Sequence, residues 1–139
     1  MKRLSKKDII AKVKQQENLE KINISEMKLS GKDLRAAKFR KANCIGADLS
    51  DCILMNADLS GADLSDAKLG DAILIYANLS GANLASANLK GAILVGADLS
   101  YADFRNANLR FADFEGAKLA GANFDGADLR DTNFDSHNL

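Results

Sequence analysis

Residues 57–81 read ADLSG ADLSD AKLGD AILIY ANLSG, five pentapeptides in tandem with Ala first and Leu third in every one. The step of five extends outward in both directions. With the large third residue as phase marker, it falls at Ile24, Leu29, Leu34, Phe39 and Cys44, then every five residues to Leu139 without an insertion, 24 units in all. Self-similarity at a short fixed period marks a solenoid, in which each unit buries its apolar side only against its neighbours.

A period of five suits neither regular element. In an α-helix five residues rotate the chain by about 500°, so successive Leu residues fall about 140° apart and gather on no face. In a continuous strand an odd step sends successive Leu side chains to opposite faces. The pattern works if each unit is a short extended piece, with Ala and Leu two apart and pointing the same way, followed by a corner. Nine of the ten Gly, among them Gly61, Gly81, Gly96 and Gly121, sit two residues after the large one, where a turn needs positive φ.

The exceptions to the consensus give the number of corners per coil. Ile53, Ile73 and Ile93 replace the usual Asp or Asn, Met55, Ile75 and Val95 replace the residue after Leu, and Phe104/Phe124 and Phe114/Phe134 replace Leu. Each set recurs at 20, or four pentapeptides. Four sides per coil, stacked at about 4.8 Å, give about six coils and a rod roughly 29 Å long. The inward column is then Leu49, Leu54, Leu59, Leu64, Leu69, Leu74, Leu79, Leu84, Leu89, Leu94, Leu99, Phe104, Leu109, Phe114, Leu119, Phe124, Leu129 and Phe134, with the Ala of each unit. The residue before each of these points outward, and on the two sides inspected no Asp stacks directly on Asp there: one reads Asn23, Asn43, Asp63, Asn83, Asp103, Asn123, the other Lys38, Asp58, Asn78, Asp98, Lys118, Asn138.

Tandem Ala-(Asp/Asn)-(Leu/Phe)-X-X resembles the pentapeptide-repeat family over about residues 20–139. The resemblance implies an all-β solenoid, a right-handed quadrilateral parallel β-helix with Ala and Leu or Phe inward. Departures from it are few, among them Lys32 and Cys52 at inward Ala positions and Cys44 at an inward Leu position. The first coil, with Ile22, Met27 and Lys32 inward, is expected to be irregular.

Residues 1–19 precede the repeat. Ser5 and Asp8 form a capping-box pattern ahead of Ile9, Ile10 and Val13, which predicts a helix over 6–17 that lays a narrow apolar stripe on the first coil. At the other end the repeat runs to Leu139 with no capping segment, so that end is expected to meet a partner, a second copy or further residues. No apolar run approaches a membrane span and no hydrophobic stretch follows the basic start, giving the expectation of a cytoplasmic protein without membrane contact.

Two Cys and one His in 139 residues exclude a disulfide framework and a zinc site of Cys and His alone. His137 falls at an inward position of the last coil and has no nucleophile and acid around it, so the chain is expected not to be an enzyme and to use no cofactor, metal or small-molecule substrate. Cys44 and Cys52 read as buried free thiols. The Asp residues read as a solvated surface that ties down corners, with Asp51 and Asp71 the stacked acidic pair to inspect for a cation.

The informative anomaly is one side of coils two to four. Ile53, Met55, Ile73, Ile75, Ile93 and Val95 are outward, with Tyr76 at their corner, an apolar patch of roughly 400–600 Å² that calls for a partner. A flat strip on a rod suits a copy of itself or another protein, and a side-by-side homodimer is the reading favoured. Charge offers two alternatives. Residues 1–41 carry 13 Lys and Arg against 5 Asp and Glu, whereas 42–139 carry 6 against 14, under a formal net charge of zero. The acidic part, by the family resemblance, implies a DNA mimic that binds DNA gyrase or a related topoisomerase, which the basic end, the apolar strip and the missing C-terminal dimerising segment weaken. The basic end, with Lys2, Arg3, Lys6, Lys7, Arg35, Arg40 and Lys41, suggests weak nucleic-acid binding through phosphates, with only the inward Phe39 as an accompanying aromatic.

Overall fold

The structure, a computed structural model, describes residues 3–139. One helix, α1 (Lys6–Lys14), opens it. The Ser5 hydroxyl accepts from the Asp8 N–H at 3.1 Å and the Asp8 carboxylate accepts from the Ser5 N–H at 3.3 Å, so two orphan donors of the first turn are satisfied reciprocally. The helix is three residues shorter than the sequence pattern suggests. Gln16 adopts φ 59° and the Leu19 N–H already donates to the Lys38 carbonyl at 3.0 Å, so the chain turns into the coil rather than completing another helical turn. Ile9 and Val13, four apart on one face, are buried in the same cluster as Ile24, Leu29 and Leu34.

Beyond α1, every fifth residue pairs in parallel with the residue 20 further on, from Asn18 with Lys38 to Asn108 with Asp128. These are single-residue bridges. Among the described residues no longer strand forms, because each side has room for only one bridge residue between two corners. At each corner the Leu carbonyl accepts from the N–H three residues on, as from Leu54 to Ala57 at 3.1 Å. The third residue of that turn has positive φ, the geometry of a type II turn. Every corner from Lys21 to Asp131 takes it, between 55° and 73°, whether or not it is glycine. The first coil, expected to be irregular, keeps the same bridges and corners. Its interior is filled by Ile24, Leu29 and Leu34, and Ile22 and Met27 pack partly buried against the core.

The interior is a continuous column of aliphatic side chains flanked by Ala. Leu49 to Leu109 at every fifth position are fully buried, and Phe114 and Leu119 nearly so. Phe124, Leu129 and Phe134 are only partly buried, since no further coil lies over them. Phe104 and Phe124, one coil apart, stack with ring centres 4.9 Å apart and planes within 2°. The last unit departs from the repeat. Ser136–Asn138 form a 3-10 turn, capped by Asp135 accepting from the His137 N–H at 2.9 Å, which leaves Leu139 and His137 exposed rather than inward.

Candidate interaction surface

Four outward faces result, and three of them are built alike. The Asp or Asn of a unit accepts the N–H of the residue two further on, as Asp58 from Ser60 at 3.0 Å and Asn78 from Ser80 at 3.0 Å, and a following Ser hydroxyl often adds a second bond. Each such bond is worth about 1 kcal/mol net and pins the start of a turn. The acidic residues therefore hold corners, as the sequence suggests. Several are also neutralised locally: Arg105 pairs with Asp103 and Arg130 with Asp128, each at 2.7 Å. The Arg130 guanidinium holds the Asp128 carboxyl down at about 2.

The fourth side is different. Its first outward column runs Asp33, Ile53, Ile73, Ile93, Asp113, all bridged in that order. Its second runs Arg35, Met55, Ile75, Val95, Glu115. In coils two to four an Ile has no oxygen to offer the turn N–H, so three successive rungs forgo the bond that the same position makes at Asp33 and Asp113. All six aliphatic side chains are half-buried rather than exposed, because stacked neighbours shield one another; only Tyr76, 66% exposed, stands out. The patch is thus at the low end of the expected range, a few hundred Å². The strip ends in charge at both limits. At one, Arg35 grips Asp33 with its Nη2 2.7 Å away, and that bond first of all holds the Asp33 carboxyl below its ordinary value. At the other, Asp113 accepts from the Glu115 N–H at 3.0 Å and from Asn133 Nδ2 at 2.8 Å.

The side chain of α1 nearest this side is not draped over the strip. Ile10, Val13, Lys14 and Gln16 line a shallow groove with Asp33 and Arg35, at the basic limit of the side. The seven residues expected to form an interface, Ile53, Met55, Ile73, Ile75, Tyr76, Ile93 and Val95, are therefore brought together on one face and left uncovered by the helix.

The other groups are dispersed or internal. Lys2 lies outside the described residues; Arg3 donates to the Ser25 carbonyl, Arg35 is held by Asp33, and Arg40 and Lys41 belong to a different side and corner. Among the described residues, Arg3, Arg35, Arg40 and Lys41 thus do not gather in one place, and Lys6 and Lys7 lie on α1. Cys44 and Cys52 are buried and unpaired, and desolvation pushes the Cys44 thiol up to about 12. The Cys52 thiol donates to the Leu29 carbonyl at 3.0 Å. Asp51 and Asp71 are exposed at corners, and among the described residues no three His, Cys, Asp or Glu side chains are placed to hold a metal ion. Among them too, no helix is long and apolar enough to cross a membrane.

Sequence reasoning passed over the way corners of successive coils fit. A Cβ added to Gly96 would lie 2.5 Å from the Tyr76 ring, one at Gly121 2.5 Å from the Tyr101 ring, and one at Gly91 2.3 Å from the Asp71 carboxylate. A large corner residue leans over the glycine 20 positions on, and that spacing was the available signal. Phe111, 52% exposed at φ 62°, was likewise missed; its ring sits beside Arg110 at 5.1 Å and Lys90 at 5.9 Å, on the side next to the strip.

The family model described as pentapeptide repeats matches residues 18–56, 52–91, 62–100, 72–110 and 107–139. Among solved structures, a pentapeptide repeat protein (Rfr23) from the cyanobacterium Cyanothece 51142 is similar at 25% identity and a TM-score of 0.70, covering 94% of this chain and 100% of that one. One from the Arabidopsis thaliana thylakoid lumen is 32% identical over 81% of this chain and 72% of that one, with a TM-score of 0.49. QnrB1, a plasmid-mediated fluoroquinolone resistance protein, is 23% identical over 86% of this chain and 65% of that one; its TM-score of 0.33 carries no argument. No curated protein matches the chain in sequence. The repeat neighbours imply a right-handed quadrilateral β-helix, and the matched repeats, the bridges 20 residues apart and the left-handed corners agree: the chain belongs to the pentapeptide-repeat family.

Proposed function

We propose that this chain is a non-enzymatic, cytoplasmic scaffold for protein contact, a β-helix of about six coils capped by α1, which uses its Ile side to form a side-by-side homodimer. The observation that supports this most is three successive rungs, Ile53, Ile73 and Ile93, bridged in one outward column where other sides carry Asp, Asn or Lys. An isolated outward aliphatic needs no explanation, but three in register with Met55, Ile75 and Val95 beside them make a continuous apolar ridge, and each forgoes a turn bond worth about 1 kcal/mol.

The test is the solution mass of the native chain and of Ile73→Glu across a concentration series by light scattering. The expected result is a native dimer and a folded monomeric variant. A native chain that stays monomeric at the highest concentration overturns the homodimer.

The topoisomerase reading is less well supported, because the carboxylates of Asp103 and Asp128 are engaged by arginines of the same chain and the acidic side chains serve the corners. A supercoiling assay with gyrase in excess chain checks it. Nucleic-acid binding through the basic end is weaker still, since its cations lie on different sides.

A further inference from the structure

We propose that the two copies dock antiparallel, about a two-fold axis that crosses the Ile side at Ile73 and Ile75; this rests on the homodimer reading above. Two aligned copies of a rod that share one side along its length in a closed pair have two arrangements. With the axis along the rod they lie parallel, coil against like coil. With the axis across the side they lie antiparallel, and the coil of Ile53 meets the coil of Ile93.

The order of residues along the side distinguishes the two. Its columns are Asp33, Ile53, Ile73, Ile93, Asp113 and Arg35, Met55, Ile75, Val95, Glu115, so the apolar block is centred on Ile73 and Ile75 with one charged rung at each limit. Antiparallel docking keeps each column against itself and reverses its direction. Ile73 and Ile75 then meet their own copies, Ile53 meets Ile93, and the long Met55 meets the short Val95. Arg35 of each copy faces Glu115 of the other.

Charge decides against the parallel form. It would gather Asp113 and Glu115 of both copies at one end, four carboxylates, where Asp113 is already committed to Asn133. Like charges so juxtaposed cost several kcal/mol. The antiparallel form instead brings those acids to the end that holds Arg35 and Lys14, both of which line the groove beside Asp33. Its own adverse contact, Asp33 opposite Asp113, is softened because Arg35 grips the first and Asn133 the second. The five rungs that overlap about this axis, Asp33 to Asp113, stacked at about 4.8 Å, give a contact no larger than the lower bound of specific interfaces, about 1,000 Å² in total. Weak, reversible association is expected of a contact that small.

The test uses the full-length chain carrying single outward thiols, with Cys44 and Cys52 left in place because both are buried. A short bismaleimide is added to Met55→Cys alone, to Val95→Cys alone, to the two mixed, and to Ile75→Cys alone. The antiparallel register predicts covalent dimer from the mixture and from Ile75→Cys, and little from Met55→Cys or Val95→Cys by itself. It also predicts that Glu115→Arg, which sets Arg against Arg35 twice per dimer, raises the dissociation constant about tenfold. In the parallel form that substitution relieves repulsion and tightens the dimer. Crosslinking of Met55→Cys with itself, or tighter association of Glu115→Arg, overturns the antiparallel register while leaving the homodimer standing. Absence of crosslinks in every arm, with native chain monomeric, overturns both.

Discussion

Gly81→Ala should destabilise the β-helix, and Ala36→Gly should stabilise it by a similar amount. Both residues occupy the left-handed third position of a corner turn, Gly81 at φ 65° and Ala36 at φ 56°. A Cβ at Gly81 meets nothing within 4 Å, so the substitution isolates backbone strain from steric contact. That strain is about 1–2 kcal/mol for an L-residue in this region. Stiffening the unfolded chain returns about 0.4–1 kcal/mol, which leaves a net loss of about 1 kcal/mol. Ala36→Gly reverses both terms. The two corners are on different sides and coils, so the double variant should return close to the native value. Urea unfolding followed by circular dichroism reads the effect as opposite displacements of the midpoint, about 0.3–1 M each for a slope of 1–3 kcal/mol/M. Gly96→Ala should cost more than Gly81→Ala, because the Tyr76 ring must also move away from the new Cβ. An unchanged midpoint for Gly81→Ala, or a destabilised Ala36→Gly, would refute the claim that the corner conformation is imposed by the coil against residue preference.

Acid should weaken the fold in a defined window. Hydrogen bonds from Arg105 and Arg130 lower the carboxyls of Asp103 and Asp128, and one from Ser50 lowers that of Asp48. Folded values below the unfolded ones mean a contribution fully present above about pH 4 and lost as the pH falls toward the folded value, about 2 for Asp128. Urea midpoints should hold from pH 7 to 5 and drop by pH 2.5; a flat profile contradicts the sign. Neither Cys44 nor Cys52 should react with a thiol reagent until the chain unfolds, so labelling should track the urea transition, and fast labelling of native protein contradicts their burial. Leu74→Ala should cost about 2–5 kcal/mol, as expected for a fully buried Leu, whereas the half-buried Leu129→Ala should cost clearly less. Equal costs for the two would contradict a closed column that opens toward Leu139.

Most of the fold was legible because a solenoid repeats its physics. The step of five, the inward Ala and Leu, the 20-residue coil and the Ser5–Asp8 cap all follow from local patterns that the tertiary structure repeats rather than overrides. What was not legible had a local cause of another kind. The end of α1 was misplaced because Gln16 shows no propensity signal for the left-handed corner that the first coil demands of it. The first coil was expected to be irregular from Lys32 and Met27, yet backbone bonds to the next coil set its course whatever those side chains prefer. His137 and Leu139 followed the repeat in sequence and left it in space, since no further coil bonds to theirs. The strip's aliphatic residues share one side, as a 20-residue coil requires, but their half-burial was not legible: the pattern shows which way a side chain points and not how much its stacked neighbours cover.

Hydrogen exchange against protein concentration tests the contact face most directly. The turn amides of Met55, Ile75 and Val95 lie two residues after an Ile that can give them no side-chain acceptor, so in the free chain they should exchange faster than those of Ser60 and Ser80, which Asp58 and Asn78 hold. If the Ile side is where two copies meet, raising the concentration should slow exchange in the segments that carry Ile53–Met55, Ile73–Tyr76 and Ile93–Val95 and leave the Asp58 side unchanged. Concentration-dependent protection on another side, or none on this one, would contradict the account.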